Sequence, residues 1–212
     1  MFFDNMKKFI LIVLGGFLAS CSIPKTDLSQ DQATLLEIKE GKIIGSDNGK
    51  TYQWLGIQYG SIPDSSYRWK RGAETEKWDG VYEALEFGNT CVQKGSLINT
   101  TKRRNWGDIV GSEDCLYLNV WSPKDVFDDF SQSKPVMVWI HGGSNVSGNA
   151  DFYDPSELVS SQDVIVVSIN YRLGPFGWFR HPDITSTAEN PEDQSGNYGN
   201  IDSIQALEWV QR

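Results

Sequence analysis

Residues that build metal centres are scarce in this chain. It has two histidines and three cysteines in 212 residues, and neither histidine lies at ligand spacing from a cysteine. That argues against a metal site, and nothing in the sequence asks for a cofactor. Basic clusters are equally scarce. No Lys/Arg run stands out after residue 8 and the net charge is −9, so nucleic-acid binding has no support and the acidity reads as a solvated surface. The longest apolar run, Phe9 to Ala19, covers eleven residues and is too short for a comfortable membrane span. There is no internal repeat and no low-complexity tract. What is present is a globular composition, 39% hydrophobic and 12% aromatic, in a length that allows one domain with a sizeable core.

The N-terminus reads as a targeting segment. Lys7-Lys8 precede the apolar run, and Leu18-Ala19-Ser20-Cys21 follows as a box of small residues before a cysteine. Together they resemble a bacterial lipoprotein signal over residues 1–20, with Cys21 the lipidated new N-terminus. An ordinary signal peptide with a coincidental cysteine is the alternative. Residues 21–34, rich in Ser, Thr, Asp, Gln and Pro, read as a tether, and 35–212 as the folded part. The implied partner is a lipid bilayer, met through an anchor and not a span. The implied location is the periplasmic or cell-surface face of a bacterial membrane. In such a compartment disulfides persist. Cys91 and Cys115 are then either bonded, worth about 3 kcal/mol in chain entropy, or two separate buried thiols.

The apolar pattern predicts β-like runs at Leu35–Ile44 and Thr51–Tyr59 around the turn Ser46-Asp47-Asn48-Gly49, a hairpin. Residues 60–112 are loop-rich. Leu116–Trp121 alternates as a strand, and Pro135–Ile140 is continuously apolar, as a strand covered on both faces should be. Asp154-Pro155-Ser156-Glu157 marks a helix start with Asp154 as cap, and that helix ends near Gln162. Asp163–Asn170 gives another buried strand, so strand, helix and strand form a right-handed parallel unit. Ile201, Ile204, Leu207 and Val210 fall at helical intervals over Asn200–Arg212, with Ala206 and Trp209 widening the stripe. At the carboxyl end of the Pro135–Ile140 strand stands His141-Gly142-Gly143-Ser144. Ligands meet such sheets at that end, and glycines there let backbone N–H groups approach a developing oxyanion.

The chain resembles the type-B carboxylesterases, the lineage that includes the cholinesterases. The resemblance runs in order from about Gly41 to Arg212. It rests on Leu55-Gly56-Ile57-Gln58-Tyr59, Arg68-Trp69, Cys91 followed by Gln93, and Ser112-Glu113-Asp114-Cys115-Leu116-Tyr117-Leu118-Asn119-Val120. The strand into His141-Gly142-Gly143 continues it, as do Asn170-Tyr171-Arg172-Leu173-Gly174, Gly196-Asn197-Tyr198-Gly199, and Asp202 with Ala206–Gln211. It implies an α/β-hydrolase fold in which small antiparallel N-terminal strands lead into a mostly parallel central sheet. Only the N-terminal portion of that fold is covered here.

The resemblance also implies roles. Cys91 and Cys115 match a disulfide pair. Arg68 with Glu113, and Arg172 with Asp202, match two structural ion pairs, with solvated surface charges as the alternative. Gly143 and Ser144 match the residues whose amides bind the oxyanion, on a loop begun by His141 and Gly142. Many members carry a third glycine and then an aromatic, where this chain has Ser144 and Asn145. The implied chemistry is serine-esterase hydrolysis of a small carboxylic ester, without cofactor or metal. The family's nucleophile sits on a Gly-x-Ser-x-Gly elbow, and no serine here has glycine two residues before and two after. Ser144 has Gly142 before it but Val146 after. Nucleophile, acid and base are therefore expected beyond Arg212, with no catalytic residue in this chain. His141 belongs to the oxyanion loop, and His181 reads as surface. Two alternatives stay open: a non-catalytic binding or adhesion protein on the same scaffold, and the inactive product of a truncated frame with an exposed sheet edge at Val136–Ile140.

Overall fold

The computed structural model describes residues 29–96, 99, 106–127 and 133–212. The expected signal segment 1–20, the expected lipidation site Cys21 and residues 22–28 lie outside the described residues. No helix among those described is long and apolar enough to cross a membrane.

The last part of the expected tether is packed into the fold. Asp31 N donates to Gly45 O at 3.1 Å, Thr34 is fully buried, and its hydroxyl accepts from Gly45 N at 2.8 Å. Trp54 Nε1 donates to Thr34 O at 2.9 Å. Polar composition misleads here because the Thr and Asp side chains serve the backbone of a turn instead of facing solvent.

The hairpin closes where expected, but its first arm is shorter than the apolar pattern suggests. Strand β3 (Ser46–Asp47) pairs antiparallel with β4 (Tyr52–Gln58). The turn is held by Asn48, whose Oδ1 accepts from Thr51 N at 2.9 Å. Residues 35–44 instead fold back on themselves. Polar Lys39-Glu40 separate β1 (Leu36–Ile38) from β2 (Gly41–Ile44), which pair antiparallel. With β5 (Val81–Glu83), parallel to β2, they form a separate small sheet. Two further short strands, β6 (Gln93–Lys94) and β7 (Ile109–Val110), pair within the loop-rich region.

The main sheet adds β8 (Tyr117–Ser122), β9 (Val136–Ile140) and β10 (Ile165–Ile169), in the order β3-β4-β8-β10-β9. It is mixed: β10 runs antiparallel to β8 and parallel to β9. Helix α1 (Ser156–Gln162) joins β9 to β10. Its start departs from the expected cap by one residue. Asp154 Oδ1 accepts from Ser156 N at 2.9 Å, while Glu157 pairs with Lys50 instead of reaching back.

Short α2 (Gly174–Gly177) and α3 (Pro182–Thr185) precede α4 (Tyr198–Val210). The apolar stripe expected on α4 is only half buried. Ile201 and Ala206 are inside, but Ile204 and Leu207 stand 52% and 42% exposed. The buried face is completed by Asp202 and Gln205, polar residues that enter because each meets a partner inside. The expectation of a strand covered on both faces also fails among the described residues. β9 is an edge strand with Val136, Met137, Trp139 and Ile140 exposed. The main core lies along the inner strands, where Ile57, Tyr59, Leu116, Leu118, Ile169 and Leu173 are buried together.

Candidate functional site

The loop that follows β9 begins with His141, which is 4% exposed. Its ring stacks on Tyr171 with centroids 4.5 Å apart, and Tyr171 Oη donates to His141 O at 2.8 Å. Nδ1 lies 2.9 Å from Gly142 O. Burial pushes the imidazole below its ordinary pKa, so at neutral pH the ring is uncharged and Nδ1–H donates to that carbonyl. His141 is thus a strut under the loop. His181 is far more exposed and accepts from Asp183 N at 3.3 Å at the start of α3.

The loop then turns sharply. Gly143 O accepts from both Val146 N and Ser147 N at 3.1 Å. Gly143 has φ +119°, and a Cβ there would lie 1.8 Å from Ser147 O, so only glycine fits. Ser144 and Asn145 follow at φ +56° and +60°. Two successive non-glycine residues in the left-handed region are uncommon. Asn tolerates it, whereas Ser costs about 1 kcal/mol. Asn145 O is held by Gly174 N at 2.7 Å, at the start of α2. The N–H groups of Gly143 and Ser144 donate to no group among the described residues. Gly143 is half-buried and Ser144 exposed. Two preset backbone donors on a turn at the carboxyl end of a parallel strand pair can stabilise an oxygen that gains negative charge. Beside them is a cavity of about 160 Å³ lined by His141, Gly142, Gly143, Gly148, Asn149, Phe152 and Tyr153.

The remaining residues singled out by sequence lie outside this turn. Cys91 and Cys115 form a disulfide, both fully buried. Arg68 and Glu113 pair bidentately, with Nε to Oε2 at 2.7 Å, and their side chains keep 35% and 28% exposure. Arg172 and Asp202 are enclosed at 4% and 0%. Asp202 accepts Arg172 Nε at 2.8 Å, Nη2 at 2.6 Å and the backbone N–H at 3.0 Å. Burial would depress the guanidinium, but the charge and hydrogen bonds of Asp202 outweigh it, and the arginine pKa is raised. Arg172 also donates to Lys70 O at 2.7 Å, which braces the segment carrying Trp69 at φ +60°. Of two candidate pairs, one is interior and one is at the surface.

Two residues of the quoted motifs carry contacts that the sequence did not disclose. Gln93 and Asn170 reach the loop from elsewhere in the chain, and adjacency to Cys91 and to Tyr171 was the only available signal. Among the described residues there is no group of three or more His, Cys, Asp or Glu that could hold a metal ion.

The carboxylesterase-family profile matches residues 32–212. The chain is similar to a fumonisin B1 esterase of Sphingopyxis macrogoltabida, at 34% identity over 92% of this chain and 34% of the relative. It is similar also to a para-nitrobenzyl esterase of Bacillus subtilis (strain 168), at 37% identity over 80% of this chain and 32% of the relative. Among solved structures, a PNB esterase superposes with a TM-score of 0.70 at 36% identity, over 84% of this chain and 35% of that one. The chain spans about a third of the length of the curated relatives it matches.

Proposed function

The chain belongs to the carboxylesterase family, and we propose that it is the N-terminal part of an exported carboxylic ester hydrolase of the serine type. Gly143 and Ser144 would donate their N–H groups to the oxyanion, on the loop begun by His141 and Gly142. Nucleophile, acid and base would come from residues beyond Arg212. The substrate class is a small carboxylic ester. An acyl group transfers to the serine, and water then releases it, with histidine as the base. Export rests on residues 1–20 and anchoring on lipidation of Cys21, with the protein facing the periplasm or the cell exterior.

One observation carries the reading. The turn after β9 holds Gly143 in a conformation that excludes any side chain and leaves two N–H groups without a partner among the described residues. Facing solvent, these two N–H groups are free to meet an oxygen that gains negative charge. The esterase names of the relatives support the same class.

The test is turnover of a short-chain p-nitrophenyl ester by the native polypeptide that carries this chain, with covalent labelling by a fluorophosphonate. Hydrolysis that is lost on labelling is the expected result. No turnover and no labelling would favour the non-catalytic binding protein.

A further inference from the structure

We propose that Gln93 is the positioning residue of the oxyanion loop, clasping its far end through both halves of one side-chain amide. This rests on the esterase reading above for its catalytic consequence, though not for its geometry. Gln93 Nε2 donates to Gly148 O at 2.8 Å, and Gly148 N donates to Gln93 Oε1 at 2.8 Å. A single side chain thus satisfies both polar backbone groups of one residue, as a neighbouring strand would. Gln93 is 5% exposed. Its Nε2 also lies 2.9 Å from Thr90 Oγ1 and 3.0 Å from Cys91 O, and its Oε1 accepts from Asn99 Nδ2 at 2.5 Å. These partners hold the amide in one orientation.

A second amide bridges the same two segments two residues on. Asn170 Oδ1 accepts from Ala150 N at 2.8 Å, and Asn170 Nδ2 donates to Asn89 O at 3.0 Å. The segment from Asn89 to Gln93 is therefore tied to residues 148–150 at both ends. Its own place is set by the cross-link of Cys91 to Cys115, next to the start of β8.

Gly148 is where the clasp bears on the amides. At φ +119°, a Cβ on Gly148 would lie 2.4 Å from His141 Nδ1 and 2.5 Å from Gly142 O. The backbone of Gly148 therefore packs flat against the strut and the first peptide of the turn. Moving Gly148 moves His141 and Gly142, and with them the N–H groups of Gly143 and Ser144. Gln93 touches neither of those N–H groups and is not a catalytic residue. Nothing else among the described residues bonds the polar backbone of Gly148.

The test compares Gln93→Met, which keeps length and loses the amide, with Gln93→Glu, which keeps an acceptor for Gly148 N. Both are made in the native polypeptide. Amide exchange is followed over residues 141–150 and over β8, beside kcat and KM for a p-nitrophenyl ester. In Gln93→Met, exchange over 141–150 should rise about tenfold, as for loss of one buried hydrogen bond, with β8 unchanged. Turnover should fall roughly tenfold to a hundredfold, because an ångström of misplacement is enough for that. KM should move less than about threefold, since substrate binding is not what is lost. Gln93→Glu keeps the acceptor but turns a carboxylate oxygen on the carbonyls of Gly148 and Cys91, so it should rescue neither effect. Unchanged loop exchange overturns the clasp, and so does a rise shared equally by β8. A selective rise with unchanged kcat overturns the positioning role. The exchange arm needs no substrate, so absence of wild-type turnover would sink the esterase reading and leave the clasp to be judged alone.

Discussion

In the inner strands of the main sheet Trp54, Leu118, Trp121 and Ile169 are at most 3% exposed, while in the edge strand β9 Val136, Met137, Trp139 and Ile140 are 44–50% exposed. The candidate oxyanion loop leaves from that edge strand. Its restraints come from other segments: Tyr171 under His141, Gln93 on Gly148, Asn170 on Ala150, and Gly174 on Asn145 O. The strand that feeds the loop and the groups that shape it are therefore separable. An exposed strand can carry a defined turn when buried amides and a buried ring fix the turn from behind.

The contrast breaks most strongly at the two ion pairs. Asp202→Ala strands the enclosed Arg172 and should cost about 3–5 kcal/mol in chemical denaturation of the native polypeptide. Glu113→Ala removes the partner of a guanidinium that water still reaches, so its cost should stay at or below about 1 kcal/mol. Equal costs would mean that the enclosed pair has no special standing.

Within the sheet, Ile169→Ala on β10 should cost about 3 kcal/mol, from lost burial plus the cavity left behind. Met137→Ala on β9 should cost less than about 1 kcal/mol, because half of that side chain is already in water. Denaturant midpoints for the two variants decide it. A similar loss at Met137 would mean that β9 is as enclosed as β10.

Much of this was legible in local pattern. The Asn48-Gly49 turn, the β8 and β10 strands and the β9–α1–β10 connection follow from alternation, apolar runs and turn residues. Errors arose where polar side chains serve the interior. Asp31 and Thr34 look like linker residues but bond backbone groups. Gln205 looks like the outer face of α4 but turns inward, to the carbonyls of Gly72 and Ala73, whereas the inward Asp202 was anticipated through the family resemblance as the partner of Arg172. The apolar run of β9 does not itself disclose that the strand lies at the sheet edge with both faces partly open, because coverage is a property of what packs around a strand. The Gln93–Gly148 clasp joins residues 55 apart, a separation over which no periodicity operates. Ser144 and Asn145 were visible as departures from the glycine-rich pattern. Their left-handed backbone was not, because nothing in either residue type demands it.

The most direct measurement is kcat for an ester in the native polypeptide carrying Gly143→Pro, which removes one of the two free N–H donors and, at a position of φ +119° with no room for a Cβ, also forces the turn out of shape. The account predicts a fall of about a hundredfold or more, the worth of one oxyanion donor at about 3 kcal/mol, with the circular dichroism of the fold retained. Turnover equal to that of the unsubstituted protein would contradict it and remove Gly143 from the chemistry.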